Sequence, residues 1–353
     1  MLRACFAPTR CPAATESALR QLLIPGISRD LFVPGIRRIR ERFRVYTSTT
    51  PAPLPSAGLI MTPEIRLQCE MYLPIEEIRG LFDRLFRSAL TYPPLLTNTP
   101  FCHASCWADV FRSLPHRFQL SADPSRLLEA LLGDREQLIR FLFATFLPDR
   151  FYGGFRRYPD QLEWLRRWLE SRPQRQVRCL DAACGTGEGT WDLVRLLNDS
   201  SHEPGACFIE GWTIEPLELW AAAYGCFPHD SIREAEYRQA TDGLIADGWN
   251  MRMLFSCSDL KDDQAPAVPE QRRFDLIVCN GLLGGPIIHE PSEMARVVAY
   301  LSGLLASGGV LLAANYFHAG WEKKCPQKAV RQLFENSGLT VVEAGEGICG
   351  ASA

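Results

Sequence analysis

The sequence predicts an α/β fold: a doubly wound, mostly parallel sheet in the carboxyl-terminal part, preceded by a mainly helical region. Three observations carry this. After residue 175, short and nearly continuous apolar runs alternate with helical stretches. Runs of that kind belong to parallel strands covered by helices on both faces. The first of them ends in an acidic residue and a glycine turn, "VRCLDAACGTGEGTW" at 177–191. Ahead of residue 150, by contrast, apolar residues recur at spacings of three and four, the helical period.

The 353 residues suffice for one large or two ordinary domains, and a hydrophobic content of 46% supplies a core. The division expected is 1–150 and 151–353. A formal charge of −3 gives no general attraction to nucleic acid or to an anionic membrane. No run reaches the roughly 18 apolar residues of a membrane span, and the amino terminus carries no export signal. Thirteen irregularly spaced cysteines without such a signal point to reduced thiols in a cytoplasmic protein.

Taken in order, residues 1–60 are proline-rich, with "TSTTPAPLPSAG" at 47–58 reading as an extended linker and "RRIRERFR" at 37–44 as a solvated helix face. Residues 63–92 and 124–147 have helical spacing, the second stopped by Pro148. "FCHASCW" groups Cys102, His103 and Cys106, but a zinc site usually needs four ligands and no second pair follows. It reads as an ordinary loop. "YPDQLEWLRRWLESRP" at 158–173 is a further helix, entered at Pro159.

Six runs then mark strands: "QVRCLDAAC", "CFIEGWTIE", "MRMLFSCSDL", "FDLIVCNGLL", "GGVLLAANYF" and "LTVVEAG". Helices are expected at 188–198, 216–224, 292–305 and 326–337. Ligands of such sheets sit beyond the carboxyl ends of the strands, where the strand order reverses.

The loop after the first run decides what kind of ligand. Asp181 closes the strand, and Gly185 and Gly187 allow a tight turn with close approach to the backbone. A phosphate loop needs Lys and Ser or Thr after the last glycine. Here Glu188 follows instead, and a carboxylate repels phosphate. It suits a cationic ligand such as S-adenosylmethionine, SAM, whose sulfonium and ammonium groups are positive. Acceptors for the ribose and adenine of that cofactor are expected after the next two strands. Glu215 or Thr213 follows the second, and Asp259 follows the third.

The sequence here resembles the class I SAM-dependent methyltransferases, in particular the chemotaxis receptor glutamate methyltransferases (the CheR family). "DAACGTGEG" resembles the first motif of that family, "FRRYPDQLEWL" its Phe-Phe-Arg-Asp-Pro segment, and "IEPLELWAAAYGCF" its second-strand loop and helix. "LFSCSDL" and "FDLIVCNGLL" resemble its next two strands, and the similarity runs in order over about 124–340. The resemblance implies SAM as cofactor and S-adenosylhomocysteine, SAH, as product. It implies cofactor contacts at Arg157, Glu188, Asp259 with Leu260, and Gly281 with Leu282. Asn280 lies beside the last pair.

The departures bear on the acceptor. The ribose aspartate of the family falls on Thr213, so Glu215 has to substitute. The Asn and Thr ahead of its arginine fall on Phe151 and Gly153. Its tyrosine-bearing segment becomes Gly284, Gly285 and Pro286, and its receptor-gripping β-insertion is absent from 228–252. A small-molecule acceptor is therefore expected, with a protein carboxylate second. Candidate catalytic groups are Tyr316 and Asn315 in "AANYFH", with His289 and His318. A non-catalytic SAM- or SAH-binding sensor or scaffold is the alternative reading.

Overall fold

A computed structural model of the chain describes residues 4–50, 53–56, 58–147, 154–172, 176–261, 272–285, 287–314 and 326–352. The chain divides into two compact units. One comprises Pro12–Tyr152 with Phe227–Glu234, and the other Leu2–Cys11, Gly153–Cys226 and Ala235–Ala353.

The first unit is helical: α1 (Pro12–Leu22), α2 (Val33–Thr49), α3 (Pro63–Tyr72), α4 (Ile75–Ala89), α5 (Trp107–Ser113), α6 (Pro124–Gly133) and α7 (Arg135–Phe146). Each of the two long helical stretches expected from the sequence is broken in two. Pro74, which has no N–H to donate, separates α3 from α4. Asp134 ends α6, and its carboxylate then accepts from Glu136 N at 2.9 Å and Gln137 N at 3.1 Å to start α7. An aromatic cluster fills the interior, with Phe82 stacked on Phe101 at 4.4 Å between ring centroids. The arginine run lies on α2. Arg42 pairs there with Glu77 at 2.8 Å and Arg40 with Glu129, while Ile39 turns into the core.

The second unit is built on an eight-stranded sheet. Its strands are β1 (Cys5–Phe6), β2 (Val177–Asp181), β3 (Cys207–Thr213), β4 (Met253–Cys257), β5 (Phe274–Val278), β6 (Leu305–Ala314), β7 (Thr340–Ala344) and β8 (Gly347–Ala351). Their order is β1-β4-β3-β2-β5-β6-β8-β7. The five strands from β4 to β6 are parallel, and β8 runs against both neighbours. This is a doubly wound, Rossmann-like, mostly parallel sheet. Helices α8 (Pro159–Glu170), α9 (Glu188–Asp199), α10 (Pro216–Tyr224), α11 (Ser231–Ala246), α12 (Pro291–Gly303) and α13 (Gln327–Asn336) alternate with the strands. No strand separates α10 from β4.

Two strands were not expected. Strand β8 is "GICGA", too rich in glycine to signal a strand. Its glycines are required by packing: a Cβ on Gly347 would lie 2.1 Å from the carbonyl oxygen of Ala313. Strand β1 has two residues, and it places Cys5 and Phe6 at the sheet edge, antiparallel to β4. Behind it Thr9 N donates to Ala223 O at 3.2 Å, and Arg10 pairs with Asp242 at 2.7 Å. No helix among the described residues is long and apolar enough to cross a membrane.

Candidate functional site

Strand β2 lies between β3 and β5, where the order of the sheet reverses. Asp181, its last residue, stands in register with Gly211 on β3 and Val278 on β5. The side chain is buried and accepts from the Thr190 hydroxyl at 2.8 Å. Burial raises its acid to about 6, and the neighbouring Glu188 and Asp192 charges push the same way. The Thr190 hydrogen bond and that of Ala183 N oppose the rise.

The loop that follows is tied to both neighbouring strands. Ala182 N donates to Val278 O at 2.8 Å and Cys184 N to Trp212 O at 2.9 Å. Its two glycines then do different work. Gly185 has φ +51°, and a Cβ built there meets nothing within 4 Å. Gly187 has φ +90°, and its Cβ would lie 2.8 Å from Ala222 Cβ and 2.9 Å from the Tyr237 hydroxyl. Gly187 is therefore a close-packing position against α10 and α11, while Gly185 borders open room. Glu188 opens α9, buried, and accepts from the Thr186 hydroxyl at 2.7 Å.

Beyond β3 the acidic groups take unexpected roles. Glu215, expected at the ribose, is 1% exposed and caps α10, accepting from Leu217 N at 3.2 Å. Thr213 donates its hydroxyl at 2.7 Å to half-buried Glu218, in the first turn of the same helix. Glu218 belongs electrostatically to the loop after β2. Burial first, then Asp181, Glu218 and Glu188, pushes the Cys184 thiol well above its ordinary range. Strand β4 joins next, with Ser258 N donating to Thr213 O at 3.0 Å. Half-buried Asp259 accepts from Lys261 N at 2.9 Å, and Leu260 sits in the core with Leu180, Ala182 and Cys279.

After β5, Asn280 exchanges two hydrogen bonds with Gln161 of α8, at 2.6 and 3.2 Å. It also accepts from Ala314 N at 2.8 Å, so its amide fastens the end of β6. Gly281 has φ +67°, and a Cβ there would lie 3.9 Å from Arg157 Nη1. Arg157 is thus brought beside the β5 loop by the turn ahead of α8, and that turn is held by Arg156 N donating to buried Asp192. Leu282 packs against the core.

The structure brings Arg157, Asp181, Gly185, Glu188, Thr213, Asp259, Asn280 and Gly281 to one edge of the sheet, at the carboxyl ends of β2 to β5. His289 follows on the β5–α12 connection. It is exposed, with Nε2 3.5 Å from Glu290. Asn315, Tyr316 and His318 lie outside the described residues. In the helical unit Cys106 is buried, with its thiol 3.6 Å from Asp109. No group of three His, Cys, Asp or Glu side chains suited to a metal forms among the described residues. Glu218, Thr190, Asp192 and Gln161 were missed from the sequence. Only Glu218 had a signal, standing three residues after the cap of α10.

No protein-family model and no curated protein matches the chain. Among solved structures it is similar to the [4+2]-cyclase SpnF at 21% identity, over 51% of this chain and 58% of that one, with a TM-score of 0.33. It is also similar to CalS10, a SAM-bound amino pentose methyltransferase from Micromonospora echinaspora involved in calicheamicin biosynthesis. That match has 16% identity over 55% and 91% of the two chains, with a TM-score of 0.35. A third similarity is to SAM-bound magnesium protoporphyrin IX methyltransferase from Synechocystis PCC 6803, at 16% identity over 62% and 98%, with a TM-score of 0.38. At these values the similarities assign neither activity nor ligand to this chain.

Proposed function

We propose that the chain is a SAM-dependent methyltransferase acting on a small molecule. The observation that supports this most is the loop at 181–188. A left-handed Gly185 borders open room beside buried Asp181, at the switch point of the sheet. The charges acting on Asp181 are carboxylates, which favour a ligand bearing positive charge. Phosphate-bearing cofactors meet the opposite field.

The residues present fit SAM. Its contribution when bound is an electrophilic methyl group on a sulfonium. Asp181 and the loop would hold the ammonium end, and Arg157 the carboxylate end. Asp259 would accept from the adenine amino group. Holding donor and acceptor in line is the main task, since in-line displacement gains most from orientation. An acceptor already ionised at neutral pH needs no base, while an amine, phenol or thiol calls for one, the role for which Tyr316, Asn315 and His289 are candidates.

A small acceptor is supported by the uninterrupted passage from α10 through α11 to β4, which leaves no inserted strands to grip a receptor. Calorimetry with SAM, SAH and NAD tests the cofactor. Labelled SAM, offered with a small-metabolite extract and separately with a chemotaxis receptor cytoplasmic domain, tests the acceptor. Binding of NAD alone, or efficient labelling of receptor glutamates, would overturn the corresponding half of the proposal. The non-catalytic sensor keeps one point in its favour: Gly284 and Gly285 stand where the resembled family carries a tyrosine segment. It predicts SAH binding with no labelled product in either fraction.

A further inference from the structure

On the reading of the site as a SAM site, we infer that Glu346 is a positioning residue for it. From the turn between β7 and β8, Glu346 holds the start of α8. It thereby sets Arg157 and Asn280 at the amino-acid end of the ligand.

The start of α8 lacks acceptors of its own. A backbone N–H at a helix start has to find a partner outside the helix. Tyr158, at the cap position, makes no side-chain hydrogen bond to the helix, and Pro159 has no N–H. Leu162 N donates to Tyr158 O at 3.0 Å. The two donors between them, Asp160 N and Gln161 N, both go to Glu346, at 3.0 and 2.8 Å, one to each carboxylate oxygen. A residue 185 positions after Gln161 thus caps the helix. Its negative charge also matches the positive end of the helix dipole.

Two flanking glycines make this reach possible. Gly345 sits at φ +63°, and a Cβ there would lie 2.3 Å from Gln161 N. A Cβ on Gly347 would lie 2.1 Å from Ala313 O on β6. Glu346 is therefore held between α8 and β6. The same two elements meet again at Asn280, which exchanges hydrogen bonds with Gln161 and accepts from Ala314 N at 2.8 Å. Gln161 belongs to both clasps, its backbone N–H to Glu346 and its side chain to Asn280. Arg157 stands two residues ahead of α8, and Gly281, which its Nη1 borders, directly follows Asn280. Neither hydrogen bond of Glu346 reaches the 181–188 loop. Releasing Glu346 loosens Arg157 and the β5 loop together and leaves Asp181 and Gly185 in place.

The test is calorimetric titration of the full chain with SAH and with 5′-methylthioadenosine, which has the same nucleoside and no amino-acid part. Glu346→Ala is expected to weaken SAH roughly tenfold, through a displaced charge-assisted contact, and to leave methylthioadenosine within about twofold. Glu346→Gln keeps an accepting oxygen and is expected to bring SAH back to within about threefold of wild type. In an Arg157→Ala background, Glu346→Ala is expected to add no further loss. If Glu346→Ala fails to fold, Glu346→Asp, shorter by one methylene, is expected to weaken SAH alone by a smaller factor. Unchanged SAH affinity in the folded variants, an equal loss for both ligands, or additive losses with Arg157→Ala would overturn the assignment while leaving the SAM site standing. A wild-type chain that binds neither ligand overturns the site and this assignment together.

Discussion

Asp192 accepts a hydrogen bond from the backbone N–H of Arg156, a residue thirty-six positions earlier that sits at φ +54°. A left-handed non-glycine residue needs its surroundings to hold it. Here a buried carboxylate does so, and the next residue is Arg157. Burial raises the Asp192 acid to about 6, so keeping it ionised at pH 7 costs about 3 kcal/mol. Asp192→Asn keeps an accepting oxygen and removes the buried charge. It should raise the melting temperature by several degrees and hold SAH affinity within a few-fold. Asp192→Ala releases the turn and should reduce SAH affinity about tenfold or more, with no added effect from Arg157→Ala in the double variant. Additive losses would show that the two residues act separately.

The two loop glycines should separate under substitution. Gly185→Val places a side chain in open room at φ +51°, at a strain of roughly 1–2 kcal/mol. The fold should survive and SAH binding should be lost. Gly187→Val drives a β-branched side chain into Ala222 and the Tyr237 hydroxyl, both under 3 Å from its Cβ. Unfolding or a large fall in melting temperature is expected there. Scanning calorimetry beside ligand titration distinguishes them.

Affinity for SAH should depend on pH through Asp181. Its folded acid lies at about 6, above the ordinary carboxylate range, so below that value the carboxylate is protonated and loses its hold on an ammonium group. Binding should fall up to about tenfold per unit below pH 6 and level off above 7. Asp181→Asn should bind weakly and flatten the profile. The same raised value means that Asp181 favours folding below the unfolded carboxylate range, and that this contribution disappears as pH rises through 6.

The helical unit carries its own acid-sensitive group. His229 is buried and stacks on Phe143 at 6.3 Å between ring centroids. Burial first, then Arg233 and Arg117, depress its acid to about 4, against the pull of Asp230. A histidine lowered on folding supports the fold above its unfolded value and withdraws that support as pH falls from about 6.5 toward 4. The loss approaches roughly 3 kcal/mol. Urea unfolding at pH 7 and pH 4.5 should show it, and His229→Phe should remove most of the difference.

What could be read beforehand followed from local chemistry. The β2 to β6 runs are nearly continuous in apolar residues, and that pattern needs no partner to be recognised. The turn at 185 announced itself because only a few residue types tolerate its backbone. Strand β8 stayed hidden because Gly347 and Gly350 answer to neighbours, Ala313 on β6 and Phe334 on α13, not to strand propensity. The breaks at Pro74 and Asp134 were written in single residues, but an unbroken apolar period masks them. Asp192 with Arg156, and Gln161 with Asn280, are pairings between segments 36 and 119 positions apart. Neither member of either pair has a distinctive neighbourhood of its own. Glu215 and Glu218 share the same local signal. Only the direction in which each carboxylate turns separates the cap of α10 from the partner of the Thr213 hydroxyl.

The pairing of Cys5 with Ser256 gives the amino-terminal segment an unusual place in the molecule's history. A chain made from its amino end produces β1 before β4 and can use it only after β4 has left the ribosome. Closing so long a loop is slow, because its entropy is spent before the contact rewards it. Until then the outer edge of β4 has unmet backbone donors and acceptors, the template on which nascent copies associate. Residues 5 and 6, made long before the strand they pair with, therefore cover that edge only late in synthesis.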